Sequence, residues 1–155
     1  MYLNTQLTDD EMKQISFQIK AKHDKTVLLL TSDMNEKPLI SLMISDDLVE
    51  EMQWNAGQFI RDLSKLIKGG GGGQAFFASA GGSDVKGLTL LKEKAKSLFE
   101  EYIELYPNGY NPYDSMGEFY YNEGDLENAK LYYSKAVEKY YAATTANGRL
   151  SALND

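Results

Sequence analysis

The stretch KGGGGGQAFFASAGG, Lys68 to Gly82, decides how this chain is read. Five consecutive glycines, Gly69, Gly70, Gly71, Gly72 and Gly73, stand between a helical pattern and a short apolar run. Glycine loses more conformational freedom on folding than any other residue. A run of five is costly unless the chain needs bare backbone at that place. Four uses compete. A phosphate-binding P-loop needs a lysine and a hydroxyl after its last glycine, and Gln74 and Ala75 stand there instead. A dinucleotide fingerprint follows a strand and opens a helix, whereas this run follows a helical pattern and opens a strand. A flexible linker is the plain structural use of such a run, but the FFASAGG after it is apolar and patterned. The remaining use is a backbone loop that lets another backbone, or phosphates, approach closely. Its N–H groups would form an anion-binding concavity. Arg61, Lys65 and Lys68 on the preceding helix would stand beside it, and the plain alternative for these three is a solvated helix face.

Upstream, residues 8–24 read as a helix, with Thr8 as N-cap, Glu11 completing a capping box, and Met12, Ile15 and Ile19 as its stripe. TVLLLTS (26–32) and LISLMIS (39–45) read as a hairpin across NEK (35–37). Asp46 or Asp47 starts a short helical turn. Asn55 caps a helix over 56–68 whose apolar face is Phe59, Leu63, Leu66 and Ile67, and Trp54 staples its entry. Downstream, FFASA (76–80) is a buried strand, and at least one of Phe76 and Phe77 belongs to the core. A long helix spans 88–106 and stops at Pro107. Residues 111–141 are helical, broken at Gly124 and Asp125, and 143–154 is a third, short helix. The order αββαβα followed by helices alone predicts an α+β domain and then an α-hairpin region.

Composition bounds the function. The chain has 155 residues, 43% hydrophobic and 25% charged, which suffices for one medium or two small domains with a core. It contains no cysteine and one histidine, His23, so thiolate and multi-histidine metal sites are excluded. No apolar run approaches the ~20 residues of a membrane span. The start, MYLNTQLTDDEMKQ, has no basic region followed by an apolar one, so a cytoplasmic protein is expected. The net charge of −7 is uneven: residues 1–98 carry 12 basic and 13 acidic side chains, residues 99–155 carry 4 and 10. That asymmetry suggests two units with different partners. No pair of carboxylates stands out as acid and base, and no cofactor or metal is expected.

The order Ala56-Gly57, helix, Gly69 to Gly73, then Ala78-Ser79-Ala80-Gly81-Gly82 closely resembles the glycine-rich C-terminal domain of alanyl-tRNA synthetases, the DHH-associated domain shared with DHH-type phosphoesterases. The resemblance covers about residues 4–98. Ala75 stands where that family usually has proline, and Gln74 stands where its phosphoesterase branch has histidine, which argues against hydrolysis. The resemblance implies a noncatalytic accessory module that touches the outer corner of tRNA. Its contacts would be mostly to phosphate and salt-sensitive. The implied nucleic-acid-binding residues are Arg61, Lys65, Lys68, the five glycines, Gln74, Gly81 and Gly82.

The C-terminal third resembles a tetratricopeptide (TPR) repeat. Tyr113, Met116, Gly117 and Tyr120 fit its first helix, and Gly124, Ala129, Tyr133 and Ala136 fit the turn and second helix, while the expected proline is Tyr141. Ala95, Phe99 and Pro107 repeat the pattern one period earlier, so the helix 88–106 would serve both folds. The implied peptide-binding face is Asn111, Asp114, Glu118, Tyr121 and Asn122, acidic and aromatic and suited to a basic peptide. The expected organisation is therefore α+β: a small mixed sheet with helices over residues 1–98, continued through the shared helix into an all-α TPR-like hairpin over 99–155. The expected partner is tRNA or another structured RNA. The alternative is a structural or protein-interaction scaffold, or a recombined or engineered chimera without an activity of its own.

Overall fold

The computed structural model describes residues 1–143. The chain divides into two compact units, Met1–Ala95 and Lys96–Asp155. The first unit runs β1 (Tyr2–Thr5), α1 (Asp9–Lys20), β2 (Val27–Ser32), β3 (Leu39–Ile44), α2 (Asp46–Met52), α3 (Ala56–Leu66), β4 (Gly70–Gly73) and β5 (Phe77–Gly81). One sheet orders the strands β1-β2-β3-β5-β4. β1 lies parallel to β2, with α1 as the crossover that parallel neighbours require. The other pairs are antiparallel. The mixed α+β sheet matches the expectation, with two strands more than the sequence reading held.

α1 begins as predicted. The Thr8 hydroxyl accepts from the Glu11 N–H at 3.3 Å, and Glu11 accepts from the Thr8 N–H at 2.8 Å. The helix ends at Lys20, short of the predicted residue 24, and Lys25 then takes a left-handed φ of 48°. Asp47 ties this return to α2. Its carboxylate accepts from the Lys25 N–H at 2.9 Å, the Leu48 N–H at 2.9 Å and the Ser45 hydroxyl. Burial alone would raise this carboxyl, but the hydrogen bonds outweigh it and hold Asp47 below its usual range.

β2 and β3 are buried along both faces. Met12 of α1 packs with Leu28, Leu30, Met43 and Phe77 on one side. Alternation sends Val27, Leu29, Leu42, Ile44, Ala78 and Ala80 to the other side, where α3 packs on β3, β5 and β4. The face that α3 buries is Ala56, Gly57, Ile60 and Ser64, with Ile67 just beyond. The predicted Phe59, Leu63 and Leu66 are only half-buried. The helix is turned because small residues are needed where it meets a strand without side chains. Trp54 is buried and meets Phe59 edge-on at 5.9 Å, the expected staple.

α4 (Gly87–Leu105) crosses the boundary between the units. The second unit then contains α5 (Asn111–Asn122) and α6 (Leu126–Ala143), an antiparallel hairpin. Its contacts run from Tyr120–Tyr132 near the turn to Tyr110–Tyr140 at the far end. Gly124 makes the turn at φ 78°, a conformation open mainly to glycine. Asp125 caps α6 through the Asn128 N–H at 3.1 Å. Gly117 has no room for a side chain: a Cβ there would lie 2.7 Å from the Tyr133 ring. The helix expected over 143–154 lies, apart from its first residue, outside the described residues. No helix among the described residues is long and apolar enough to cross a membrane.

Candidate nucleic-acid interface

The glycine run is a strand, which corrects the expected loop. β4 pairs along its whole length with β5, Gly70 opposite Gly81 and Gly73 opposite Ala78. Its alternate residues have different reasons to be glycine. A Cβ on Gly69 would lie 1.9 Å from the Gly81 carbonyl oxygen, on Gly71 2.1 Å from that of Ser79, and on Gly73 2.4 Å from that of Phe77. On Gly70 and Gly72 it would meet nothing within 4 Å. The fold therefore requires three of the five. The other two sit in extended backbone at a cost of roughly 0.5–1 kcal/mol each relative to alanine. Nothing in the structure explains Gly70.

The anion-binding concavity is also corrected. The Gln74 N–H donates to the Phe77 carbonyl at 2.8 Å, which sets the phase of the ladder. Gly70 and Gly72 then bond to β5, and Gly71 turns its N–H group to the open edge. An extended strand sends successive N–H groups to opposite sides, so they cannot converge on one anion as a turn's do. What remains is an edge that bare backbone can approach.

Both ends of α3 are clamped against this hairpin by backbone. The Ala56 N–H donates to the Ala75 carbonyl at 2.9 Å, and a Cβ on Gly57 would lie 2.9 Å from the Gly73 oxygen. At the far end Gly82 and Gly87 face the carbonyls of Ile67 and Leu66, where a Cβ would stand at 2.2 and 1.8 Å. Gly82 thus serves packing, and Gly81 faces Leu39 at 3.3 Å. Neither is presented as freely as the resemblance implied. Gln74 is exposed.

Arg61 and Lys65 project from α3, and Lys68 immediately precedes the glycines. Lys65 pairs with Asp62 at 3.1 Å and Lys68 with Asp84 at 3.7 Å, with the lysine side chains 75% and 74% exposed. Pairs this exposed contribute little and are readily exchanged for a phosphate. They also reduce the local field: three cations stand against two carboxylates.

Sequence reasoning missed a cleft of about 300 Å³ between α1 and the hairpin. Asp9, Asp10, Lys13 and Phe17 line it from α1, and Gly72, Gly73, Gln74, Phe76, Phe77 and Ser79 from the hairpin. The available signal was Phe17, a large apolar residue off the Met12–Ile15–Ile19 stripe.

In the second unit three residues of the expected face, Asp114, Glu118 and Tyr121, gather around Tyr133. Glu118 accepts a hydrogen bond from the Tyr133 hydroxyl at 2.8 Å. Burial and that carboxylate push Tyr133 well above the usual tyrosine range. Asn111 is half-buried, while Asp114 and Asn122 are exposed. Tyr121 alone of the five lines a groove, an apolar one of about 570 Å³ shared with Leu126, Ala129 and Val137.

The DHHA1 domain model matches residues 1–104. The alanine–tRNA ligase of Cytophaga hutchinsonii is 45% identical over 91 residues, 59% of this chain and 10% of that protein. That of Christiangramia forsetii is 42% identical over 89 residues, 57% of this chain and 10% of that protein. The chain thus spans about a tenth of the length of the curated relatives it matches. The crystal structure of the C-Ala domain from Aquifex aeolicus alanyl-tRNA synthetase superposes with a TM-score of 0.51 at 27% identity, over 59% of this chain and 86% of that one. The Ala-Gly helix start, the glycine strand and its close-packed partner all lie within the residues that the DHHA1 model matches, and the chain belongs to the DHHA1 domain family.

Proposed function

We propose that this chain is a noncatalytic accessory module that binds structured RNA, specifically the outer corner of tRNA. The observation that carries the reading is the side-chain-free edge of β4 with Arg61, Lys65 and Lys68 on and after the helix packed against it. A bare edge lets a sugar–phosphate backbone come close, and exposed cations at helical spacing follow its phosphates. Gly71 supplies an N–H donor to that edge, and Gln74 an amide at its end. The likeness to alanine–tRNA ligases and to the C-Ala domain supports tRNA as the RNA. The test is fluorescence anisotropy of labelled tRNA against a hairpin RNA of equal length, titrated with salt. The expected result is saturable binding that prefers tRNA and falls linearly in log K against log salt. Lys65→Glu with Lys68→Glu should weaken it at least tenfold and flatten the slope by about two. No binding at low salt, or equal binding by the double variant, would overturn the reading.

A second reading, a protein-interaction scaffold, is favoured by the groove of the second unit. Tyr121 and Leu126 are 59% and 63% exposed there, and an apolar partner helix would suit them.

A further inference from the structure

We infer that the cleft between α1 and the glycine hairpin is a pocket for one unstacked nucleobase, and that guanine is the base it selects. The inference rests on the RNA reading above for the class of ligand and on the cleft itself for the site. The first observation is Gly72. The fold does not need glycine there, since a Cβ would touch nothing within 4 Å, and yet Gly72 lines the cleft. Bare backbone that the protein does not itself approach is suited to a ligand that does.

The second observation is an aromatic wall. Phe17 is 37% exposed on α1, with its ring centroid 5.3 Å from that of Phe77 and 6.1 Å from that of Phe76. Phe77 belongs to the core, and Lys20 covers the Phe76 ring at 5.0 Å. Phe17 therefore offers the free face. Single-stranded bases are read by stacking on such a face and by hydrogen bonds to their edges.

The third observation is the polar lining. The side chains of Asp9, Asp10, Lys13, Gln74 and Ser79 make no hydrogen bond or ion pair among the described residues. Glu11, their neighbour outside the cleft, is by contrast engaged by Thr8. Two carboxylates disfavour a phosphate in the cleft, so the base enters and its phosphate stays outside. A lysine or arginine side chain would satisfy the carboxylates but repel Lys13. The lining offers acceptors and donors together, and it calls for an edge that does the same. Guanine presents two adjacent donors, N1–H and N2–H, that a carboxylate accepts together, and O6 and N7 as acceptors for Lys13 and Gln74. Uracil has one donor between two acceptors, and adenine has no such donor pair.

The test is an NMR titration of the full chain with 5′-GMP, AMP, CMP and UMP, following backbone amides. GMP should shift Gly72, Gly73, Gln74 and Lys13, and bind at least fivefold more tightly than the other three. Gly72→Ala places a methyl in the cleft and should weaken GMP tenfold. His23→Ala, an exposed position after α1 and outside the cleft, should leave the GMP affinity at the parent value. Asp9→Asn with Asp10→Asn should remove the preference for GMP while the fold persists. Equal shifts by the four nucleotides, shifts elsewhere, or full GMP binding by Gly72→Ala would overturn the inference. If tRNA binds but GMP leaves the cleft amides unmoved, the cleft inference fails and the RNA reading stands. If GMP occupies the cleft while tRNA does not bind at low salt, the RNA reading fails and the cleft stands as a mononucleotide site.

Discussion

Glycine solves a different problem in each unit. In the α3–β4–β5 region the approaching atoms are backbone carbonyls, those of Gly81, Ser79, Phe77, Ile67 and Leu66. In the α5–α6 hairpin the approaching atoms belong to the ring of Tyr133, lying on Gly117. A backbone carbonyl held in a ladder or at a helix end cannot yield. A ring at the end of a side chain can turn. The first arrangement brings main chain to main chain and leaves an edge without side chains. The second keeps two helices close and fills the space with aromatic rings.

The largest expected effect probes the rigid side of this contrast. Gly69→Ala should cost about 3 kcal/mol or more, because the new methyl meets a carbonyl that cannot move. Urea denaturation of the full chain measures it, and a loss below ~1 kcal/mol would show that the hairpin can part. Gly117→Ala should cost less, about 1–3 kcal/mol. In a double-mutant cycle with Tyr133→Ala most of that cost should vanish, because the ring is the obstacle. A cost that persists without the ring would make the two regions alike.

Asp47 tests whether unit one also depends on charge. Asp47→Asn should destabilise the chain by about 1 kcal/mol at neutral pH. The folded pKa of Asp47 is depressed. Its contribution is therefore present above the ordinary aspartate value of about 3.9 and is lost as pH falls through the lower folded value. Urea midpoints taken from neutral to acid pH should fall more steeply for the parent than for Asp47→Asn. The smallest effect has the opposite sign. Gly70→Ala should be neutral or stabilising by up to ~1 kcal/mol, since it restricts the unfolded chain and meets nothing in the folded one. Destabilisation there would mean that the edge carries a packing role the structure does not account for.

Much of this was legible in the residues. The capping box at Thr8, the Trp54 staple, the β2–β3 hairpin, a core place for one of Phe76 and Phe77, and the break at Gly124 all rest on interactions within a few residues or on simple alternation. β1 was not legible, because Tyr2–Thr5 is short and becomes a strand only when α1 returns the chain to β2. The glycine strand was not legible either. Strand signals come from side chains, and Gly70–Gly73 has none. Of the candidate site, the sequence named the cations on α3 and after it but not their acidic neighbours as partners. It did not single out Phe17.

The sequence by itself determined where the capped helices start, which runs are apolar, and that the segment between Lys68 and Gln74 is bare backbone. These are properties of local chemistry and of residue order. Only the tertiary structure decided that the bare backbone is an edge strand, that alternate glycines face a neighbouring carbonyl or open space, and that α1 and the hairpin enclose a cleft. Those outcomes depend on which distant segment arrives beside each glycine, and a residue without a side chain carries no record of its neighbour.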